Sequence, residues 1–137
     1  MGSTQMFMLV LVLILVGLAV VMAGRVFDEK AAEANFDQVS SFLTELGIRA
    51  QKYYRTPEWL DGGGHSFTGL TTTAEGMSLL TNIPVNDHGT FSILVAGSAS
   101  QVILQGIGTV DADGDGSNCT MNLVVTKNDM VITIISR

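Results

Sequence analysis

Hydrophobic positions along this chain are arranged in three successive ways. From Met6 to Ala23 (MFMLVLVLILVGLAVVMA) they occupy every side, with no charged residue among them. At ~1.5 Å per residue this run makes a helix of roughly 27 Å, close to the hydrocarbon thickness of a bilayer. A helix that is apolar all round needs lipid, or other apolar helices, about it. From Arg25 the pattern becomes one-sided: Ala32, Phe36, Val39, Leu43, Leu46, Ala50 and Tyr53 follow at spacings of 4, 3, 4, 3, 4 and 3, with Glu33, Asp37, Ser40, Ser41, Glu45 and Lys52 on the opposite face. That is an amphipathic helix stripe. No proline interrupts residues 1–56, so both parts read as one helix. It should stop near Arg55, because a residue before proline, here Thr56 before Pro57, is disfavoured in the helical conformation. Gly17 and Gly24 are the places where a bend or local melting is expected, each glycine costing about 1 kcal/mol relative to alanine.

Beyond the helix the period shortens. Trp59-Leu60-Asp61-Gly62-Gly63-Gly64 reads as a reversal, and His65–Leu70 as a short strand or extended loop. Ser78–Ile83, Thr90–Ala96, Gln101–Val110, Cys119–Thr126 and Met130–Ile135 are rich in β-branched and apolar residues and read as strands. Asn86-Asp87-His88-Gly89 and Lys127-Asn128-Asp129 supply turn chemistry between them. The expected fold class is α+β, with a long N-terminal α-helix, apolar in its first half and amphipathic in its second, packed on a small C-terminal antiparallel β-sheet domain. The divisions are residues 1–24 (apolar membrane or filament-core helix), 25–56 (amphipathic continuation of the shaft) and 57–137 (antiparallel β head).

Charge sharpens this division. All 13 acidic and 7 basic residues lie after Gly24, so the net charge of −6 belongs to the outward part. An acidic head suits solvent and does not suit nucleic acid, so no nucleic-acid partner is expected. Cys119 is the single cysteine, which excludes a disulfide within the chain and suits a small buried hydrophobe. The opening MGSTQ holds no Lys or Arg, unlike the basic start of a cleavable secretory signal. The chain therefore reads as a processed form, its upstream leader removed, with Met1 as the first mature residue.

With these features in place, the chain resembles the type IV pilin family, pseudopilins of secretion systems included. More narrowly, Ala31, Ala34-Asn35, Asp37, Ala50-Gln51, Tyr53-Tyr54-Arg55, Pro57 and Gly62-Gly63-Gly64 with Ser66-Phe67-Thr68-Gly69 resemble uncharacterised pilin-like proteins of bacteria. The likeness covers roughly residues 1–70; beyond it only the architecture agrees. It implies a structural subunit that sits in the inner membrane and is then polymerised by assembly machinery with identical subunits into an extracellular helical filament, for adhesion or motility. It also implies that assembly rests on Met1, Gln5, Phe7, Leu9, Leu11, Leu13, Val16 and Val20. Gln5 stands where the family usually has a glutamate; it can hydrogen-bond a neighbour's terminal amine but cannot neutralise it. The usual proline in the apolar helix and the C-terminal disulfide are missing too. A pseudopilin of a type II-like secretion system and a single-span anchored extracytoplasmic domain remain the alternatives.

The sharpest chemical motif is Asp111-Ala112-Asp113-Gly114-Asp115-Gly116. Alternating carboxylates before glycine can converge on a hard cation, with Asp111, Asp113 and Asp115 as ligands and calcium as the one cofactor in view. A full calcium loop needs a bidentate acid at its twelfth position, where Asn122 stands, so an acidic connection between two strands is the competing reading. Asn118-Cys119-Thr120 matches a glycosylation sequon. Phe27, Phe36, Phe42, Tyr53, Tyr54 and Trp59 read as packing residues. No enzyme is expected: His65 and His88 are solitary, Cys119 has no local histidine partner, no Cys-x-x-Cys-His haem motif occurs, and Gly62–Gly64 follows a helix and not a strand.

Overall fold

A computed structural model describes residues 2–137. Helix α1 runs from Gly2 to Arg55 as one 54-residue element, roughly 80 Å long at the standard rise. It passes through Gly17 and Gly24 without a break. The expected melting at those glycines does not occur, and neither has any other part of the chain within 4 Å to divert it.

The end of α1 shows what the three glycines do. The amides of Gly63, Gly64 and His65 donate to the carbonyls of Tyr53, Thr56 and Tyr54 at 2.8, 3.0 and 2.8 Å. They thereby satisfy acceptors that a helix terminus leaves open. Gly64 takes φ +56°, a left-handed conformation that suits glycine. A short 3₁₀ turn, Glu58–Leu60, intervenes. His65–Leu70 forms no strand; Phe67 donates its amide to Ser98 O, Gly97 donates to Leu70 O, and both Phe67 and Leu70 are fully buried.

Ser78–Ile83 is corrected from strand to helix and turn. Helix α2 spans Ala74–Ser78, with Thr73 as its N-cap accepting from the Gly76 amide. The buried residues Met77 and Leu80 are three apart, a helical spacing, where a strand needs two. Arg49 of α1 holds the turn by donating to Leu80 O at 2.9 Å.

Five strands follow: β1 (Val85–Asn86), β2 (Gly89–Val95), β3 (Gln101–Gly108), β4 (Thr120–Thr126) and β5 (Met130–Ser136). They pair antiparallel in chain order, β1-β2-β3-β4-β5. The Asn86–Gly89 and Val125–Met130 pairs bracket the two turns read from sequence. One face is buried on α1: Phe91 and Ile93, Val102 and Leu104, and Met121, Leu123 and Val125 meet Val39, Leu43, Leu46 and Ala50. Gly47 permits the contact, since a Cβ there would lie 2.6 Å from both the Leu123 Cδ2 and the Met130 Sδ. Strand β4 alternates buried and half-buried along its length, as a one-sided sheet requires.

Strand β5 departs from that alternation. Ile132 and Ile134 pair with the buried Leu123 and Met121, and so lie on the helix side. They nevertheless stay 37% and 48% exposed, because the sheet overhangs α1 at this edge.

Candidate functional site

The residues expected to carry assembly lie on the first half of α1. Phe7, Leu9, Leu11, Leu13, Val16 and Val20 are each more than half exposed, and Gln5 is exposed as well. Met1 lies outside the described residues. The apolar window is 0% buried within the chain and is long and apolar enough to cross a membrane. Such a helix suits a membrane anchor or a signal. Nothing in the head folds back over it, so lipid or another molecule must supply its cover. Because α1 is continuous, this surface joins the head through the packed half of the same helix.

Asn35 fixes where the shaft enters the head. It sits within the apolar stripe between Ala32 and Val39, only 6% exposed. Its Nδ2 donates to His88 O at 2.9 Å in the β1–β2 turn, and its Oδ1 accepts from the Thr109 amide at 3.1 Å just past β3. Gly108 lets this amide approach, since a Cβ there would collide with Asn35 Oδ1. One side chain thus ties α1 to the neighbouring ends of β2 and β3, beside the Gly89–Gly108 pair. A polar residue inside an otherwise apolar stripe was the available sequence signal. Asn35→Ala should lower head stability by about 1 kcal/mol, because the part-buried His88 carbonyl and Thr109 amide lose their partner; a chemical-denaturation curve in detergent measures it.

The acidic loop between β3 and β4 gathers Asp111, Asp113 and Asp115, with one carboxylate oxygen of each within 4.8 Å of the others. The same carboxylates also fold the loop. Asp111 accepts from the amides of Gly114 at 2.8 Å and Gly116 at 2.9 Å, Asp113 from Asp115 N at 3.2 Å, and Asp115 from Ser117 N at 2.7 Å and the Ser136 hydroxyl at 3.2 Å. Asn122, at the twelfth position, is committed elsewhere, accepting from Gln105 Nε2 at 3.2 Å on the sheet's outer face. The cluster brings together one oxygen from each of three carboxylates, and the six to eight oxygens that calcium prefers would have to be completed by their second oxygens, backbone carbonyls or water. The amides of Gly116 and then Gly114 hold the Asp111 carboxyl below the usual aspartate range. A depressed pKa means that the loop's stabilisation is full above the unfolded-state value and is lost as pH falls through the folded one. Acid titration by NMR should therefore free the Gly114 and Gly116 amides below the ordinary aspartate range, and Asp111→Asn should abolish that pH dependence.

The remaining candidates take packing positions or lie on the surface. Cys119 is 2% exposed; burial raises its thiol pKa, with the Arg137 charge acting in the opposite direction, so the net effect favours the protonated thiol. Arg137 also stacks over the Phe36 ring at 4.9 Å, and its carbonyl accepts from Ala112 N at 3.0 Å, which closes the C-terminus over the acidic loop. His65 lies edge-on to Tyr54 at 5.6 Å. Phe42 packs on Phe91 at 4.4 Å, and Tyr54 on Phe67 at 4.8 Å. Asn118 of the sequon is exposed in the loop before β4. The layout, a long apolar N-terminal helix on a small antiparallel sheet, is compatible with a pilin-like fold. Compared with known proteins, the chain matches no family model, no curated protein and no solved structure.

Proposed function

We propose that this chain is a pilin-like structural subunit of an extracellular helical filament. Residues 6–23 hold it in the inner membrane before assembly, and the same residues pack on identical copies afterwards. One observation carries the reading: the apolar half of α1 is bare on every side yet continuous, as one helix, with the half that seats the head. A flexible tether would serve a lone anchored domain equally well. A stiff shaft instead positions each head at a fixed height above its own apolar segment, which a helical array needs.

The energetics favour one-way assembly. Each buried Leu, Val, Ile, Met or Phe side chain contributes ~1.5–3 kcal/mol relative to water. Exchanging lipid for neighbouring helices leaves that term nearly unchanged, so assembly machinery can extract the subunit reversibly. Release from a filament into water forfeits it for the whole run. Identical subunits related by a rotation and a rise that do not close give an open fibre. The test is surface shearing followed by high-speed centrifugation: the protein should pellet from the sheared fraction and become monomeric only in detergent. Retention of all the protein in the cell membrane after shearing would reject the proposal.

A further inference from the structure

The two edges of the sheet are built differently. At one edge β1 has only two residues, and β2, beyond the part that β1 covers, carries an irregularity between Ile93 and Val95. A very short strand and a bulge are two of the ways in which an edge resists pairing with another chain. The other edge, β5, has neither over most of its length. It runs seven residues, Met130–Ser136, with no proline and no charged side chain. Its one register shift falls at the last pairs with β4, between the partners of Met121 and Thr120. Val131, Ile132, Thr133, Ile134 and Ile135 are all exposed.

The backbone of this edge is open as well. The β4–β5 hairpin closes on the bond from Thr126 N to Asp129 O at 2.9 Å. Counting from there, antiparallel alternation turns the backbone groups of Val131 and Thr133 toward β4 and those of Ile132 and Ile134 outward. Among the described residues, no backbone group outside the ladder bonds to Ile132 or Ile134. The side chains have a second property. Read outward from Thr133, the strand is nearly the same in both directions: Ile134 and Ile135 one way, Ile132 and Val131 the other. Such a strand is complementary to itself when turned end for end.

Charge around the two ends of β5 has opposite sign. Beside its start lie Lys127, Asp129 and Arg55, whose guanidinium donates to Lys127 O at 3.2 Å. Beside its end lie Arg137 and the loop of Asp111, Asp113 and Asp115; the amides of Ala112 and Asp113 donate to Arg137 O, and Asp115 accepts from the Ser136 hydroxyl. The start is net positive and the end net negative.

We infer that β5 pairs with β5 of a second copy of this chain, antiparallel about a two-fold axis at Thr133. Ile132 then faces the second copy's Ile134, Val131 faces its Ile135, and Thr133 faces its own counterpart. The outward groups of Ile132 and Ile134 exchange N–H···O bonds across the seam. Each positive start lies beside the other copy's negative end, whereas a parallel pairing would set like against like. Moving the axis one residue, to Ile132, would place Ile135 against Asp129 and lose the match. Ile132 and Ile134, which α1 leaves partly bare, gain cover from the second copy. The two α1 shafts run antiparallel in this pair, with their apolar halves at opposite ends. The contact therefore joins copies carried by two facing surfaces or two separate fibres, and it is closed to neighbours inserted side by side in one membrane.

Full-length protein in detergent, where each copy can turn freely, tests the pairing. Thr133→Cys, oxidised with copper phenanthroline and oxygen, should give a disulfide-linked dimer, because directly opposed Cβ atoms lie within about 5.5 Å; Cys119 is buried. Ile135→Cys should give none, since its counterpart lies four residues along the seam, about 13 Å away. In sedimentation without oxidant, the wild-type protein should dimerise as concentration rises, and Ile134→Lys should weaken that association about tenfold. No Thr133→Cys dimer, equal linking at both positions, or dimers that Ile134→Lys leaves unchanged would each overturn the pairing. Wild-type protein that stays monomeric overturns it too, and leaves the edge to a strand of some other protein.

Discussion

Arginine placed at Leu13 and Val16 together will take the protein out of the membrane fraction. Both side chains are exposed on the apolar half, at 69% and 55%, and neither touches the head. Each arginine near the centre of a spanning helix costs ~2.5–3.5 kcal/mol on insertion scales, so the pair costs roughly 6 kcal/mol. That removes a large part of the insertion free energy of one helix while leaving every contact of the sheet in place. The expected result is soluble or degraded protein after alkaline extraction of membranes, together with an unchanged melting temperature for whatever folded protein is recovered. Retention in the extracted membranes at wild-type level would mean that some other segment holds the chain there.

Leu43→Ala will have the second large effect, on stability instead of location. Leu43 is fully buried between α1 and the sheet, and truncating such a leucine costs about 3 kcal/mol through lost transfer energy and the cavity left behind. Small domains have only ~5–15 kcal/mol in total, so the melting temperature in detergent should fall by more than 10 °C. Leu13→Ala, thirty positions earlier on the same helix, should leave it unchanged. The contrast separates the two halves of α1 physically: one holds the head together and the other meets its surroundings. Equal destabilisation by both variants would contradict the division.

How much of this was readable beforehand depends on whether the signal was local. The helix end near Arg55 follows from Pro57, and the β4–β5 hairpin from Lys127-Asn128-Asp129 between two β-branched runs, both short-range signals. Ser78–Ile83 misled because composition was read without period: Met77 and Leu80 are buried at a spacing of three, and Thr73 starts a helical turn there. Strand β1 has two residues, too few for a periodic signal. The exposure of Ile132 and Ile134 depends on how far the sheet overhangs α1, which is set by tertiary packing. At the acidic loop, spacing alone brought Asp111, Asp113 and Asp115 into view, and the structure gathers them. Their bonds to the amides of Gly114, Gly116, Asp115 and Ser117 depend on the folded loop. Asn35 was not singled out for packing, although it stands three residues after Ala32 on the apolar face; its two partners, His88 and Thr109, lie 53 and 74 residues away.

These parts fit one physical scheme. The head is stabilised by the second half of α1 and needs nothing from the first. The first half is left uncovered by its own chain, and it is the part that the proposal gives to lipid and then to identical copies. On the proposed filament reading, Gln5 at the start of that half can donate to or accept from a neighbour but contributes no charge.

Electron cryomicroscopy of material sheared from the producing cells tests the central claim most directly. The account predicts fibres in which residues 6–23 of successive copies pack together along the axis and the β heads lie outside. Cells without fibres, whose protein extracts into detergent as a monodisperse single copy, would contradict it.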